Sequence, residues 1–204
     1  LQPDNLAGRK VMHYRLDKIA TQDKDTITYL GRDLEQARDV HFKVLRREAA
    51  ENEEKVTRFS REGLSAAMIN HPNMVSAYIA GEHEGMLYIC YEVVHGNDLA
   101  ELMKVGGRMQ VRTAVGYMIQ VARALNLAHQ LGIIHRDIQP GNILLSQRGG
   151  VKISGMSLAK LERDKAGAAG ESAVPDSESV REQAFASVTM AHTSLGNPEF
   201  SSPE

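Results

Sequence analysis

Cysteine is nearly absent from this chain. Cys90 is the only one among 204 residues, so no internal disulfide can form, a usage that fits a reducing, cytoplasmic setting. An excess of charge is also missing. The 24 basic and 26 acidic side chains leave a net −2, which gives no general pull toward nucleic acid or an anionic membrane. No apolar run reaches the roughly 18 residues of a membrane span, and no signal peptide is visible. Neither nucleic acid nor membrane contact is therefore expected of this segment. Internal repeats are lacking as well. What is present is a hydrophobic share of 42%, which suits a globular protein with one or two cores. The chain opens on Leu1 and ends on Glu204, and the expectation is a piece of something longer.

Hydrophobic spacing divides the chain into elements. Short apolar runs at Tyr14-Arg15-Leu16, 26–30 and 40–45 read as antiparallel strands. Residues 47–69 carry Phe59, Leu64, Ala67 and Met68 at near-helical spacing, and His71-Pro72-Asn73 should end that helix. Strands are predicted at 74–80 and 86–94, joined by a hairpin turn at 82–85. The pattern from 98 to 131 is helical and longest over 111–130. There Val111, Val115, Met118, Ile119, Ala122, Leu125 and Leu127 form one broad apolar face, and Gly132 stands where a left-handed cap would stop the helix. Strand-like pieces follow at 132–135, 143–146 and 151–154. Residues 162–177 have a loop composition, and Ser179 with Glu182 frames a short helix at 180–191.

One stretch carries chemistry. In His135-Arg136-Asp137-Ile138-Gln139-Pro140-Gly141-Asn142, an acid and an amide stand five residues apart, preceded by a long helix and followed by Ile143-Leu144-Leu145. Together with Val151–Lys160 and the order of elements before it, this resembles the bacterial-type (Hanks-like) serine/threonine protein kinases over about residues 13–204. The resemblance implies an α+β, bilobal fold. Its N-lobe, 13–94, would hold a five-stranded antiparallel sheet and one helix, behind a leader at 1–12. Its partial, mainly helical C-lobe, 95–204, would include a long activation segment from 154, truncated after that segment. By position, Asp137 would be the base for a substrate hydroxyl and Asn142 a magnesium ligand. Lys43 would contact the ATP α- and β-phosphates, Glu62 would pair with it, and Glu92 and Val93 would open the adenine-binding hinge. Gly196-Asn197-Pro198-Glu199-Phe200-Ser201-Ser202-Pro203-Glu204 resembles the end of an activation segment, and Ser187, Thr189, Thr193 and Ser194 lie where members are often phosphorylated.

The departures all touch nucleotide or metal. The segment Ile19–Ile27 has none of the three glycines that let backbone N–H groups approach phosphates, and Asp23 and Asp25 add negative charge there. His41 takes the place of a small alanine over the adenine. Gln139 replaces a lysine that steadies the γ-phosphate. Gly155-Met156-Ser157 replaces Asp-Phe-Gly, so the metal-bridging carboxylate is missing. The expected function is therefore that of a pseudokinase with a regulatory or scaffolding role and no cofactor, binding a partner kinase or a substrate protein. The alternative is an active serine/threonine kinase using ATP and Mg²⁺. A third reading is an inactive fragment. The 180–191 helix is expected to dock Phe185 and Val188 into the unused cleft.

Overall fold

The computed structural model describes residues 3–147, 149–156 and 159–161, with Lys160 and Leu161 described as backbone. The activation-segment readings, including the 180–191 helix, the four phosphorylation candidates and Ser157, lie outside the described residues.

Period-two alternation builds the first half. In β4 (Arg38–Leu45), Val40, Phe42 and Val44 point into the core at 0% exposure, while His41 and Lys43 face the other way. The neighbouring β3 (Thr26–Asp33) alternates likewise, burying Ile27 and Tyr29. These strands join β1 (Arg9–Val11), β2 (Tyr14–Gln22), β5 (Ala77–His83) and β6 (Met86–Glu92) in an antiparallel sheet of order β1-β2-β3-β4-β6-β5. Five of these strands were expected. The sixth, β1, comes from the leader. Ahead of it a 3-10 turn over Pro3–Asn5 brings Leu6 to 0% exposure in the sheet's core. The Tyr29 hydroxyl donates to the Pro3 carbonyl at 2.7 Å and accepts from the Leu6 N–H at 3.3 Å. Glu84 and Gly85, at φ 49° and 77°, make the two left-handed positions of a tight β5–β6 hairpin.

Helix α1 (Arg47–Ala50) is a single turn, separated from α2 (Glu53–Met68) by Asn52, whose side chain caps the Lys55 N–H at 3.2 Å. The inner face of α2 sets Val56 and Phe59 against Ala80 and Ile89 of the sheet. Gly63 is required by that approach, since a Cβ there would stand 2.8 Å from the Ala80 Cβ.

The second half follows β6. It contains β7 (Gly96–Asp98), α3 (Leu99–Gly106), α4 (Val111–Gln130), β8 (Ile133–Ile134), β9 (Ile143–Ser146), β10 (Val151–Ile153) and β11 (Lys160–Leu161). Strands β10-β9-β7 form one small sheet and β11-β8 another. Gly132, at φ 71°, returns its N–H to the His129 carbonyl at 2.9 Å and stops α4 as expected. The broad apolar face of α4 is not the face that packs. Val121, Ala124 and Ala128 are its buried residues, whereas Val111, Val115, Met118 and Ile119 are 42–78% exposed among the described residues. No helix of the described residues is long and apolar enough to cross a membrane.

The halves are tied behind the cleft. Val75 N–H reaches the Ile153 carbonyl at 2.8 Å and Ile153 N–H the Asn73 carbonyl at 2.9 Å. The Asn73 amide donates to the Val151 carbonyl (2.7 Å) and to Gln120 of α4 (3.1 Å), and the same Gln120 oxygen accepts the Val151 N–H at 3.1 Å.

Candidate functional site

Between the halves lies a cleft of about 660 Å³. Its roof is the outward face of β2–β4, its rear is the α2–β6 junction, and its floor is the loop around Asn142 with Ser154, Gly155 and Met156.

Alternation on β4 aims Lys43 into this cleft. Its ammonium meets both oxygens of Glu62 on α2, at 2.7 and 2.9 Å, with the two side chains 17% and 7% exposed. The pair that the resemblance implied is therefore made, and it joins sheet to helix. Tyr91 was not singled out by the sequence, yet its hydroxyl donates to the same Glu62 at 2.8 Å. His41 also lines the cleft, half-buried, one strand from Tyr91 in register. Burial, then the neighbouring His95, lowers its pKa and favours a neutral ring.

At the hinge, Glu92 and Val94 line the cleft while Val93 is not among the lining residues. The Glu92 N–H is committed to the Ser76 carbonyl at 3.0 Å. Its carboxylate forms an ion pair with Lys152 of β10 at 2.6 Å, a further tie between the halves.

The segment expected to cover phosphates is a fastened turn between β2 and β3. Asp23 N–H closes onto the Thr26 carbonyl at 3.0 Å. The Asp23 carboxylate accepts from the Asp25 and Thr26 N–H groups (2.8 and 2.7 Å) and the Thr26 hydroxyl (2.8 Å). Burial pushes its carboxyl up, but these bonds outweigh that and hold it below the usual carboxylate range. Asp25 is paired with Lys55 at 2.7 Å. Arg46 fixes the turn from behind, bonding the Asp23 carbonyl and Gln22 while it pairs with Asp4 of the leader.

The floor gathers the remaining site residues. His135 is 1% exposed, accepts the Asp137 N–H on Nδ1 at 3.3 Å and bonds the Ser154 carbonyl through Nε2 at 2.9 Å. Both ring nitrogens thus hold the loop, with the proton on Nε2. Each oxygen of the Asp137 carboxylate accepts an amide. Gln139 donates to Oδ1 at 2.8 Å; Asn142 donates to Oδ2 and to the Asp137 carbonyl, both at 2.8 Å. Gly155, at φ 85°, lies directly under Asn142, so that a Cβ on it would come within 2.7 Å of the Asn142 Cγ. The amide fills the space into which a side chain at 155 would project.

Three histidines held neutral by full or partial burial give the fold a pH dependence. Burial is the leading cause that lowers the pKa of His41, His71 and His135; for His135 it outweighs the opposing pulls of the Ser154 carbonyl and Asp137. Below about 6.5 the unfolded chain binds protons that the folded chain refuses, so stability falls with pH from that point down toward the folded values. The midpoint of thermal unfolding should drop between pH 7.5 and 5.5, and a flat profile would contradict this account.

Among the described residues no three His, Cys, Asp or Glu side chains gather as a group that could hold a metal ion. A family model described as a protein kinase domain matches residues 25–204. Serine/threonine-protein kinase PrkC of Bacillus subtilis is 34% identical over 202 residues, covering 98% of this chain and 28% of that protein. Serine/threonine-protein kinase PknB of Mycobacterium tuberculosis is 34% identical over 206 residues, covering 99% and 29%. PknB of Mycolicibacterium smegmatis is 37% identical over 166 residues, covering 79% and 26%. The chain thus spans between a quarter and a third of the length of these relatives.

Proposed function

The chain belongs to the protein kinase domain family, and on that premise we propose that it acts as a pseudokinase, with a regulatory or scaffolding output and weak or no ATP binding. The six-stranded sheet with α2 and the mainly helical part after it are the two lobes of the kinase-like fold. The observation that carries the proposal is the floor of the cleft, where Gln139 and Asn142 each turn an amide to the Asp137 carboxylate and no second carboxylate stands beside it at Gly155. Asn142, the one family metal ligand retained, turns its amide nitrogen to that carboxylate, and Gly155 beside it has no side-chain oxygen.

The residues present do not fit a magnesium–nucleotide complex. Magnesium favours hard oxygen ligands, commonly carboxylate together with phosphate. Replacing Gly155 by Asp would not simply restore one, because the new Cβ would meet Asn142. On the roof, the turn at 23–25 carries two carboxylates and no glycine. Phosphoryl transfer rests on positioning and charge neutralisation, and losing one electrostatic stabiliser costs about 3 kcal/mol. Several are lost here together. The domain's output would then be its shape, offered to a partner kinase or a substrate protein.

One observation favours a second reading, an active serine/threonine kinase: the Lys43–Glu62 pair is closed. The two readings separate in a thermal-shift titration with ATP, alone and with Mg²⁺ or Mn²⁺. A ligand at about 100 times its Kd stabilises the native state by about 2.7 kcal/mol, which is several degrees for a chain of this size. The expected result is no metal-dependent shift; a clear one would overturn the pseudokinase reading.

A further inference from the structure

We propose that Tyr91 is a positioning residue that holds helix α2 against β4, so that the Lys43–Glu62 pair is kept closed by the protein itself rather than by a ligand. This goes beyond the pseudokinase reading and stands whether or not the cleft takes nucleotide.

Three placements converge on this side chain. Tyr91 sits near the end of β6, opposite His41 of β4 and Ala77 of β5 in register, at the rear of the cleft. Its ring packs against the α2–sheet cluster around Phe59 and Ile89, and also against the cluster that joins Met74 to Ile153 and Met156 of the other lobe. Its hydroxyl donates at 2.8 Å to Oε1 of Glu62, the oxygen that also takes Lys43 at 2.7 Å. The second oxygen accepts Lys43 at 2.9 Å. Glu62 is thus held from two strands at once, and the tyrosine is fixed by both lobes. Burial and the Glu62 charge raise the phenol's pKa well above its ordinary value, so it remains a donor. A hydrogen bond to a charged, buried acceptor is among the stronger ones in a protein. Here it acts on the helix whose position decides whether the pair exists.

The test is Tyr91→Phe, which keeps the ring and its packing and removes only the hydroxyl. Amide hydrogen exchange and the rate at which an amine reagent labels Lys43, both read by mass spectrometry, report on α2 and on the pair. Exchange across α2 and labelling of Lys43 should each rise about tenfold, while exchange in β1–β3 stays unchanged. In a Glu62→Gln background the same change should add less, because the two groups act through one contact. Exchange and labelling within twofold of the parent protein would overturn the proposal. So would a rise spread evenly over the sheet, or full additivity with Glu62→Gln.

Discussion

Lys43→Ala should lower the stability of the fold by about 3 kcal/mol or more, read as the shift in free energy of urea unfolding. The reason lies in what is left behind. Glu62 is 7% exposed on the inner face of α2, and without Lys43 its charge keeps, among the described residues, the Tyr91 hydroxyl alone. A buried carboxylate in that state must stay charged without a counterion or take up a proton, and both are unfavourable. Glu62→Ala should be milder, because Lys43 is 17% exposed and its flexible stem can turn the ammonium into the open cleft. Replacing both by apolar residues, Lys43→Met with Glu62→Leu, should recover much of the loss, as buried ion pairs exchanged for apolar packing often do. The ordering Lys43→Ala, then Glu62→Ala, then the double variant is the signature of a structural clamp. A Lys43→Ala protein within 1 kcal/mol of the parent, on the order of experimental scatter in extrapolated free energies, would show that the pair holds nothing together.

That clamp was legible in the sequence only through its frame. Lys43 and Glu62 are 19 residues apart, and nothing in that distance says they meet. The strand pattern around Val40-His41-Phe42-Lys43 and the helical pattern around Phe59 placed one on a strand and one on a helix, the family resemblance implied that they pair, and the structure joins them at 2.7 Å. Tyr91 escaped because an aromatic residue in an apolar strand reads as core, which its ring is; only its hydroxyl does something more specific, and a hydroxyl has no periodicity. The loop from His135 to Asn142 displayed its spacing but not its hydrogen bonds. That both amides turn to Asp137 depends on rotamers set by Gly155 and its surroundings, a dozen and more residues away. Strand β7 was missed because Gly96-Asn97-Asp98 has turn chemistry; the partner that makes it a strand is Leu145 of β9, whose carbonyl lies so close that a Cβ on Gly96 would collide with it. On α4 the apolar residues outnumber the buried ones. Periodicity selected the stripe with the larger side chains, whereas the packing against β8–β10 selects Val121, Ala124 and Ala128, where small residues let the helix come close.

The leader is where sequence and structure differ most in consequence, and Leu6→Ala should therefore cost about 3 kcal/mol, within the 2–5 kcal/mol of fully buried leucines. Residues 1–12 read as a leader because their large apolar residues, Leu1, Leu6, Val11 and Met12, form no strand or helix pattern. The environment of Leu6 comes from elsewhere in the chain. It shares one core cluster with Tyr14, Leu16, Ile27 and Tyr29 of β2 and β3, and its exposure is 0%. Alanine would leave a cavity that the sheet above can fill only in part. The hydroxyl of Tyr29, itself 0% exposed, adds a second dependence, since its acceptor is the Pro3 carbonyl. Deleting residues 1–8 would strand that hydroxyl and remove Asp4 from Arg46, which also braces the turn at 23–25 over the cleft. The deletion should thus destabilise more than Leu6→Ala and speed amide exchange in 20–27, whereas Leu6→Ala alone leaves the Arg46 contacts in place. Tyr29→Phe in the deleted protein should restore part of the lost stability by removing the stranded donor. If Leu6→Ala and the deletion both unfold within 1 kcal/mol of the parent, a margin below the low end for such cores, the segment ahead of β1 is a passenger and the sheet stands without it.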